Sequence, residues 1–173
     1  PWWNRSLRYV GVLACAVVIG YISSRPSMMS FYDATYSKQN TLSTASQEVM
    51  KQLEGPMTIT TYVNLFDSEF KDASPQNQLE DRARFKQYTR FKPEIKMKYV
   101  YYYTTPTDTA FLAKYPGMTI EEIVADVAKK KKINPKKLVT AESLKEEIDL
   151  KEENYRFVRV IERGSGEKAR LRL

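Results

Sequence analysis

Between Tyr9 and Ile22 the chain reads YVGVLACAVVIGYI without one charged side chain, and Trp2, Trp3, Arg5 and Arg8 stand just before it. No other stretch of the sequence stays apolar for so long. From Leu7 to Ser24 it is about 18 residues, or roughly 27 Å as a helix, which crosses a bilayer core of about 30 Å if Arg8 snorkels to the surface. The expectation is a membrane-spanning helix within residues 1–26, anchored by Trp2, Trp3, Arg5 and Arg8. Tryptophan prefers the headgroup region, and the two arginines hold the N-terminal side in the cytoplasm. Residues 27–173 then form a domain outside the cytoplasm, in the periplasmic space beside an inner membrane. A buried globular helix and a cleaved signal peptide are the competing readings. The paired tryptophans argue against the first, and the length of the run with no A-x-A site after it argues against the second. The chain opens on Pro1 rather than methionine and ends in mid-strand, which reads as a piece of a longer polypeptide.

Beyond the span, the length suits one domain with a real core. Cys15 is the single cysteine and lies inside the span, so no disulfide forms within this chain. The sequence has no histidine, which removes Ser-His-Asp triads and nearly all zinc sites. Its net charge is +7, of which Arg5, Arg8 and Arg25 carry three, leaving about +4 on the soluble part. One dense basic cluster, Lys129, Lys130, Lys131 and Lys132, falls at the end of an expected helix, where cations complement the helix dipole. With Tyr102 it is the one candidate interaction surface; the near-balanced charge elsewhere speaks against nucleic acid.

Past a polar segment at 31–41, Leu42 to Leu53 has helical spacing, with Ala45, Val49 and Leu53 on one face and Ser43 or Thr44 as cap, Thr44 and Gln47 at capping-box spacing. Gly55-Pro56 ends it. Met57 to Phe66 alternates as a strand whose two faces both look at least partly covered. Gln76 to Phe91 reads as one helix with Leu79, Ala83, Phe85, Tyr88 and Phe91 inward, and Ile95 to Tyr103 as a second strand. Strand, helix and strand within this distance predict a parallel βαβ unit. Tyr99, Tyr101, Tyr102 and Tyr103 read better as strand formers packed under a helix than as a stacking platform, because only Lys96 and Lys98 accompany them. Thr119 with Glu122 forms a capping box for a helix from Ile120 to about Lys131, with Ile120, Ile123, Val124 and Val127 inward. Ser143 with Glu146 suggests a short helix through Ile148. A hairpin follows, Tyr155 to Arg163 and Glu167 to Leu173 about a turn at Gly164-Ser165-Gly166. The expected fold class is α/β: an N-terminal transmembrane helix, then a partial three-layer α/β domain with a parallel βαβ unit and a C-terminal β-hairpin.

No catalytic, cofactor-binding or metal-binding constellation emerges. Gly164-Ser165-Gly166 lacks the G-x-S-x-G spacing, and Gly166-Glu167-Lys168 lacks the upstream glycine and following Ser/Thr of a P-loop. Asp67 with Glu69, or Glu80 with Asp81, are carboxylate pairs of a kind that is usually solvated surface.

The run DATYSKQNTLSTASQEVMKQL at Asp33–Leu53, followed by GPMTITTYV at Gly55–Val63, resembles the auxiliary domain of gliding-motility-associated ABC transporters. The resemblance continues through RFKQY at Arg84–Tyr88, KYVYYY at Lys98–Tyr103, KYPGMTIEEI from Lys114 and RFVRVIER at Arg156–Arg163. It implies a non-enzymatic extracytoplasmic α/β domain anchored beside, or fused to, the permease of an ABC-type transporter whose ATPase is a separate chain. The implied partners are the permease and ATPase subunits and the lipid bilayer. The remaining alternative is a membrane-anchored extracellular module that binds a polymer or nucleic acid.

Overall fold

In a computed structural model the structure describes residues 2–25, 34 and 41–171, so the polar segment expected at 31–41 and the strand end at Arg172 and Leu173 fall almost wholly outside it. The chain divides into two compact units, residues 1–48 and 49–173.

The first unit is dominated by helix α1, Trp2–Ser23. The segment Arg5–Ser23 is long and apolar enough to cross a membrane, and none of it is buried against protein. Its end is closed locally: the Ser23 and Ser24 hydroxyls donate to the carbonyls of Gly20 and Tyr21, at 3.2 and 2.8 Å. Helix α2 spans Thr44–Gln52, and the division between the units falls inside it. Ser43 rather than Thr44 is its cap, with Ser43 Oγ accepting from the Ser46 amide at 3.2 Å. Gln47 instead donates its side-chain amide to Leu42 O, so the expected capping box is not formed. Its apolar face is also displaced: Val49 is exposed while Met50 is buried.

The second unit is built on a five-stranded sheet, ordered β3-β2-β1-β4-β5: β1 Met57–Asn64, β2 Ile95–Tyr103, β3 Val139–Thr140, β4 Val158–Arg163 and β5 Lys168–Leu171. β1, β2 and β3 are parallel, β4 is antiparallel to β1, and β5 is antiparallel to β4. β2 has the bounds that alternation predicts, and β1 stops at Asn64, although the Leu65 amide still donates to Tyr102 O at 2.8 Å. The C-terminal hairpin forms as expected, with Gly166 at φ +87 and Gly164 so close to Pro56 that a Cβ there would meet its ring at 3.0 Å. That contact leaves no room for a larger residue.

The crossover from β1 to β2 departs from expectation. Gln76 to Phe91 is two short helices, α3 Gln78–Arg84 and α4 Lys86–Phe91, broken at Phe85 with φ −92 and ψ 0. Leu79 is exposed, and the residue of α3 that turns inward is Asp81. From β2 the chain passes through α5, Thr109–Leu112, and α6, Ile120–Lys130, to β3, a second parallel βαβ unit that a two-residue strand hid from the sequence. The capping box of α6 is formed, Thr119 Oγ1 accepting from the Glu122 amide and Glu122 Oε2 from the Thr119 amide, and Ile123, Val124 and Val127 are buried.

α6 packs on one face of the sheet with Val63, Tyr101, Phe70 and Phe157, each such burial contributing about 1.5–3 kcal/mol. The opposite face holds Tyr62, Tyr102, Val158 and Val160 against Leu144, Ile148 and Leu150. The segment carrying these last three has a 3-10 turn at Glu142–Leu144 in place of the expected helix, and Thr140 Oγ1 just before it accepts from the Ser143 amide. Tyr101 and Tyr102 are both core residues, as the strand-former reading expects.

Candidate functional site

In an open sheet with parallel strands, the polar ends of the strands and the loops leaving them form a natural crevice at the carboxyl edge. A cavity of about 680 Å³ lies there, where β1 ends in Asn64 and β2 runs into Thr104. Its walls come from Asp67–Glu69, the 104–108 loop, Phe111 of α5, the end of α6 at Lys131, and residues 154–156.

Asn64 organises the floor. It is buried, donates Nδ2 to Tyr155 O at 2.9 Å and to Thr104 Oγ1 at 3.3 Å, and accepts from the Phe66 amide at 3.0 Å, so one side chain ties three loops together. Asp67 does the same for the wall. Its Oδ1 accepts from the Glu69 amide at 3.1 Å and its Oδ2 from the Phe157 amide at 2.9 Å. Asn154 and Tyr155 are consecutive residues in the left-handed region, at φ 51 and 55, a conformation that L side chains adopt at a cost. This is why β4 begins at Val158 rather than at Tyr155. Asp108 caps α5 by accepting from the Ala110 and Phe111 amides.

Lys131 is the cation that reaches inward. Its Nζ donates to Leu65 O at 2.7 Å, at the carboxyl end of the central strand, and lies 4.2 Å from the centre of the Phe70 ring. Burial pushes its pKa below the usual lysine value, an effect that the Asp67 charge opposes. Two of its three N–H groups are left for other acceptors. The lining carries Asp67, Glu69 and Asp108 together with Lys131 and Arg156, and with Thr105 and Thr107. Such a lining recognises a polar ligand of mixed charge by hydrogen bonds. Asp67 has both carboxylate oxygens engaged by backbone amides, and Asp81 has both engaged by Arg159, so neither is placed as a free acid or base. Among the described residues no group of three or more His, Cys, Asp or Glu side chains could hold a metal.

The residues singled out from sequence fall in three places. Trp2, Trp3, Arg5 and Arg8 are exposed on α1. Of the candidate interaction surface, Tyr102 is removed: it is fully buried, with its hydroxyl donating to Arg156 O at 3.1 Å. The four lysines do not act as one patch. Lys131 turns into the crevice, Lys130 pairs with Asp126 at 2.6 Å, Lys129 is exposed on the last turn of α6, and Lys132 adopts φ 57 just beyond it. Thr104 and Asn154 carried no motif, Arg156 stood out only as the start of RFVRVIER, and only the topology brings them together.

No family model matches the chain, and no curated protein or solved structure matches it either.

Proposed function

We propose that this chain is a membrane-anchored, non-enzymatic auxiliary component of an ABC-type transporter of the gliding-motility kind. The observation that carries the reading is α1. Arg5–Ser23 is uncovered by protein on every side and spans about 28 Å, and an apolar helix left bare needs lipid or other spans around it. Trp2 and Trp3 suit the headgroup level, and Arg5 with Arg8 favour a cytoplasmic N-terminus. The α/β domain then lies on the periplasmic side of the inner membrane, beside the permease, with the ATPase across the bilayer. The resemblance of Asp33–Val63 to the auxiliary domain of such transporters supports the same reading. The crevice at the carboxyl edge suits a binding surface, in which Asp67 and Asp108 hold the loops by accepting from backbone amides.

Cysteine accessibility tests the topology. In a Cys15→Ala background, a Ser165→Cys variant is expected to react with a membrane-impermeant thiol reagent in intact cells, because Ser165 is exposed at the hairpin tip. Labelling only after lysis, or recovery of the protein in the soluble fraction, overturns the proposal. Co-purification of a permease and an ATP-binding subunit under mild detergent is the second expected result.

A further inference from the structure

A second, smaller pocket lies where two segments far apart in sequence meet. The 3-10 turn Ser68–Ala73 buries Phe70 and Ala73 and leaves Lys71 in solvent. Beside it the chain leaves α6 through Lys132, whose φ of 57 lets the Ile133 amide close on Ala128 O at 2.8 Å. Gln76 Nε2 reaches Lys131 O at 3.4 Å and joins the two segments. The pocket between them measures about 260 Å³; Lys71, Ser74 and Gln76 line it from the first segment and Lys130 to Lys132 from the second. That is below the range of about 300–1,000 Å³ that drug-sized ligands fill, and it suits a single small group.

Four lysines and no carboxylate line this pocket. Two of them are engaged elsewhere: Lys130 pairs with Asp126 at 2.6 Å, and Lys131 Nζ is held on Leu65 O at 2.7 Å. Lys71 and Lys132 are exposed, and their ammonium groups have no partner among the described residues. Ser74 is 6% exposed, yet its hydroxyl also has no hydrogen-bond partner among the described residues. Unlike the Thr61 hydroxyl it is not sealed off, so it opens on the pocket. Helix-dipole complementarity accounts for lysines at the end of α6, but not for Lys71 and Ser74, which belong to another segment. The last carbonyls of α6 are also occupied, those of Val127, Ala128 and Lys129 accepting from the amides of Lys131, Ile133 and Lys132.

We propose that this pocket binds a phosphoryl group, seated between the ammonium groups of Lys71 and Lys132 with the Ser74 hydroxyl donating to it. Lysine binds phosphate as a point charge, whereas planar recognition of carboxylates favours arginine, which the lining lacks. A single-stranded nucleic acid needs exposed rings to stack on, and Phe70, the aromatic residue here, is buried. The phosphoryl group belongs to a small soluble ligand or to a phospholipid head group. The inference concerns a face that the transporter reading leaves unassigned, and it stands without that reading.

The test uses the full chain in dodecyl maltoside micelles at fixed ionic strength, with calorimetric titration as the readout. Inorganic phosphate and micelles doped with phosphatidic acid are the two probes, and acetate is the control. Saturable binding with a Kd of about 1 mM or tighter is expected. Saturation by phosphate supports the pocket with a soluble ligand, and saturation by phosphatidic acid alone supports it with a lipid head group. Lys71→Gln with Lys132→Asn is expected to weaken binding by about tenfold or more at an unchanged urea midpoint, asparagine being suited to the left-handed backbone at 132. Ser74→Ala is expected to weaken it by about threefold or more. Lys136→Gln with Lys137→Gln removes the same charge from an exposed turn outside the pocket and is expected to leave binding within about twofold. No saturation by either probe at about 10 mM, equal binding of acetate, or equal weakening by the two double variants overturns the proposal. Oligothymidine binding tighter than phosphate through Lys71 and Lys132 overturns it in favour of nucleic acid.

Discussion

Along β1, Met57, Ile59, Thr61, Val63 and Leu65 point to one side and are all buried, whereas of Thr58, Thr60, Tyr62 and Asn64 on the other side only the last two are. One strand thus serves a face covered along its whole length and a face covered over its carboxyl half. The side chains follow the cover. On the fully covered face even polar groups are taken out of water, and Asp81 of α3 meets Arg159 of β4 through two bonds, Nη2 to Oδ1 at 2.5 Å and Nη1 to Oδ2 at 3.1 Å. Tyr99 adds its hydroxyl to Asp81 Oδ2 at 2.8 Å, and the Arg159 guanidinium lies 4.9 and 5.1 Å from the centres of the Phe85 and Phe157 rings. On the half-covered face, lysines and threonines remain in contact with solvent. A charge on the first face is therefore a structural element, whereas Lys96 and Lys98 on the second stay in water.

The largest effect that separates the two faces is expected at Asp81. Asp81→Ala leaves the Arg159 charge buried without its partner and should destabilise the second unit by about 3–5 kcal/mol in urea unfolding. Replacing both members, Asp81→Leu with Arg159→Met, should recover most of that loss, because a buried pair costs desolvation that apolar side chains do not. Lys98→Ala on the opposite face should change stability by no more than about 0.5 kcal/mol. Equal losses from Asp81→Ala and Lys98→Ala would remove the distinction between the faces.

Alkaline pH is expected to act on both faces with smaller effect. Tyr99 on the covered face is pushed up to about 12 by burial and by its bond to Asp81, and Tyr62 on the other face to about 12 by burial and by Glu147. Each keeps its proton in the folded state at pH values where the unfolded chain, with a pKa of 10.0, has lost it. Their contribution is thus complete below pH 10 and is lost as pH rises toward 12. Lys131 works in the other direction, since its lowered pKa makes the folded state gain stability as pH approaches 10.5. The tyrosines outnumber it, so the urea midpoint should fall above pH 10. Tyr62→Phe and Tyr99→Phe should each remove part of that fall, and a fall that neither variant alters would show that the sensitivity lies elsewhere.

How much of this was legible in the sequence depends on the range of the interactions. β2, the capping box of α6 and the hairpin were readable because alternation, Thr119 with Glu122 and the Gly164–Gly166 turn act between near neighbours. The break at Phe85 was not. Periodicity placed Leu79 inward, but α3 turns Asp81 inward to meet Arg159, a partner 78 residues away that no local pattern announces. The crevice was hidden for the same reason, since Asn64, Thr104 and Tyr155 are joined only by the topology. Lys131 stood out in sequence as part of a run, and its distinct role comes from its contacts with Leu65 O and the Phe70 ring.

The smallest expected difference between the faces lies in two adjacent threonines of β1. Thr61 is fully buried and its hydroxyl has no hydrogen-bond partner among the described residues, whereas Thr60 on the opposite face is half-buried. Valine is nearly isosteric with threonine, so Thr61→Val exchanges a desolvated hydroxyl for a methyl group without a change of shape. It should stabilise the second unit by up to about 1 kcal/mol, because a buried polar group without a partner carries its full desolvation penalty. Thr60→Val should shift the urea midpoint by less than the equivalent of about 0.5 kcal/mol, since its hydroxyl still reaches water. A loss at Thr61 exceeding that at Thr60 would mean that the hydroxyl is satisfied through a buried water, and that the covered face holds one more polar group in use.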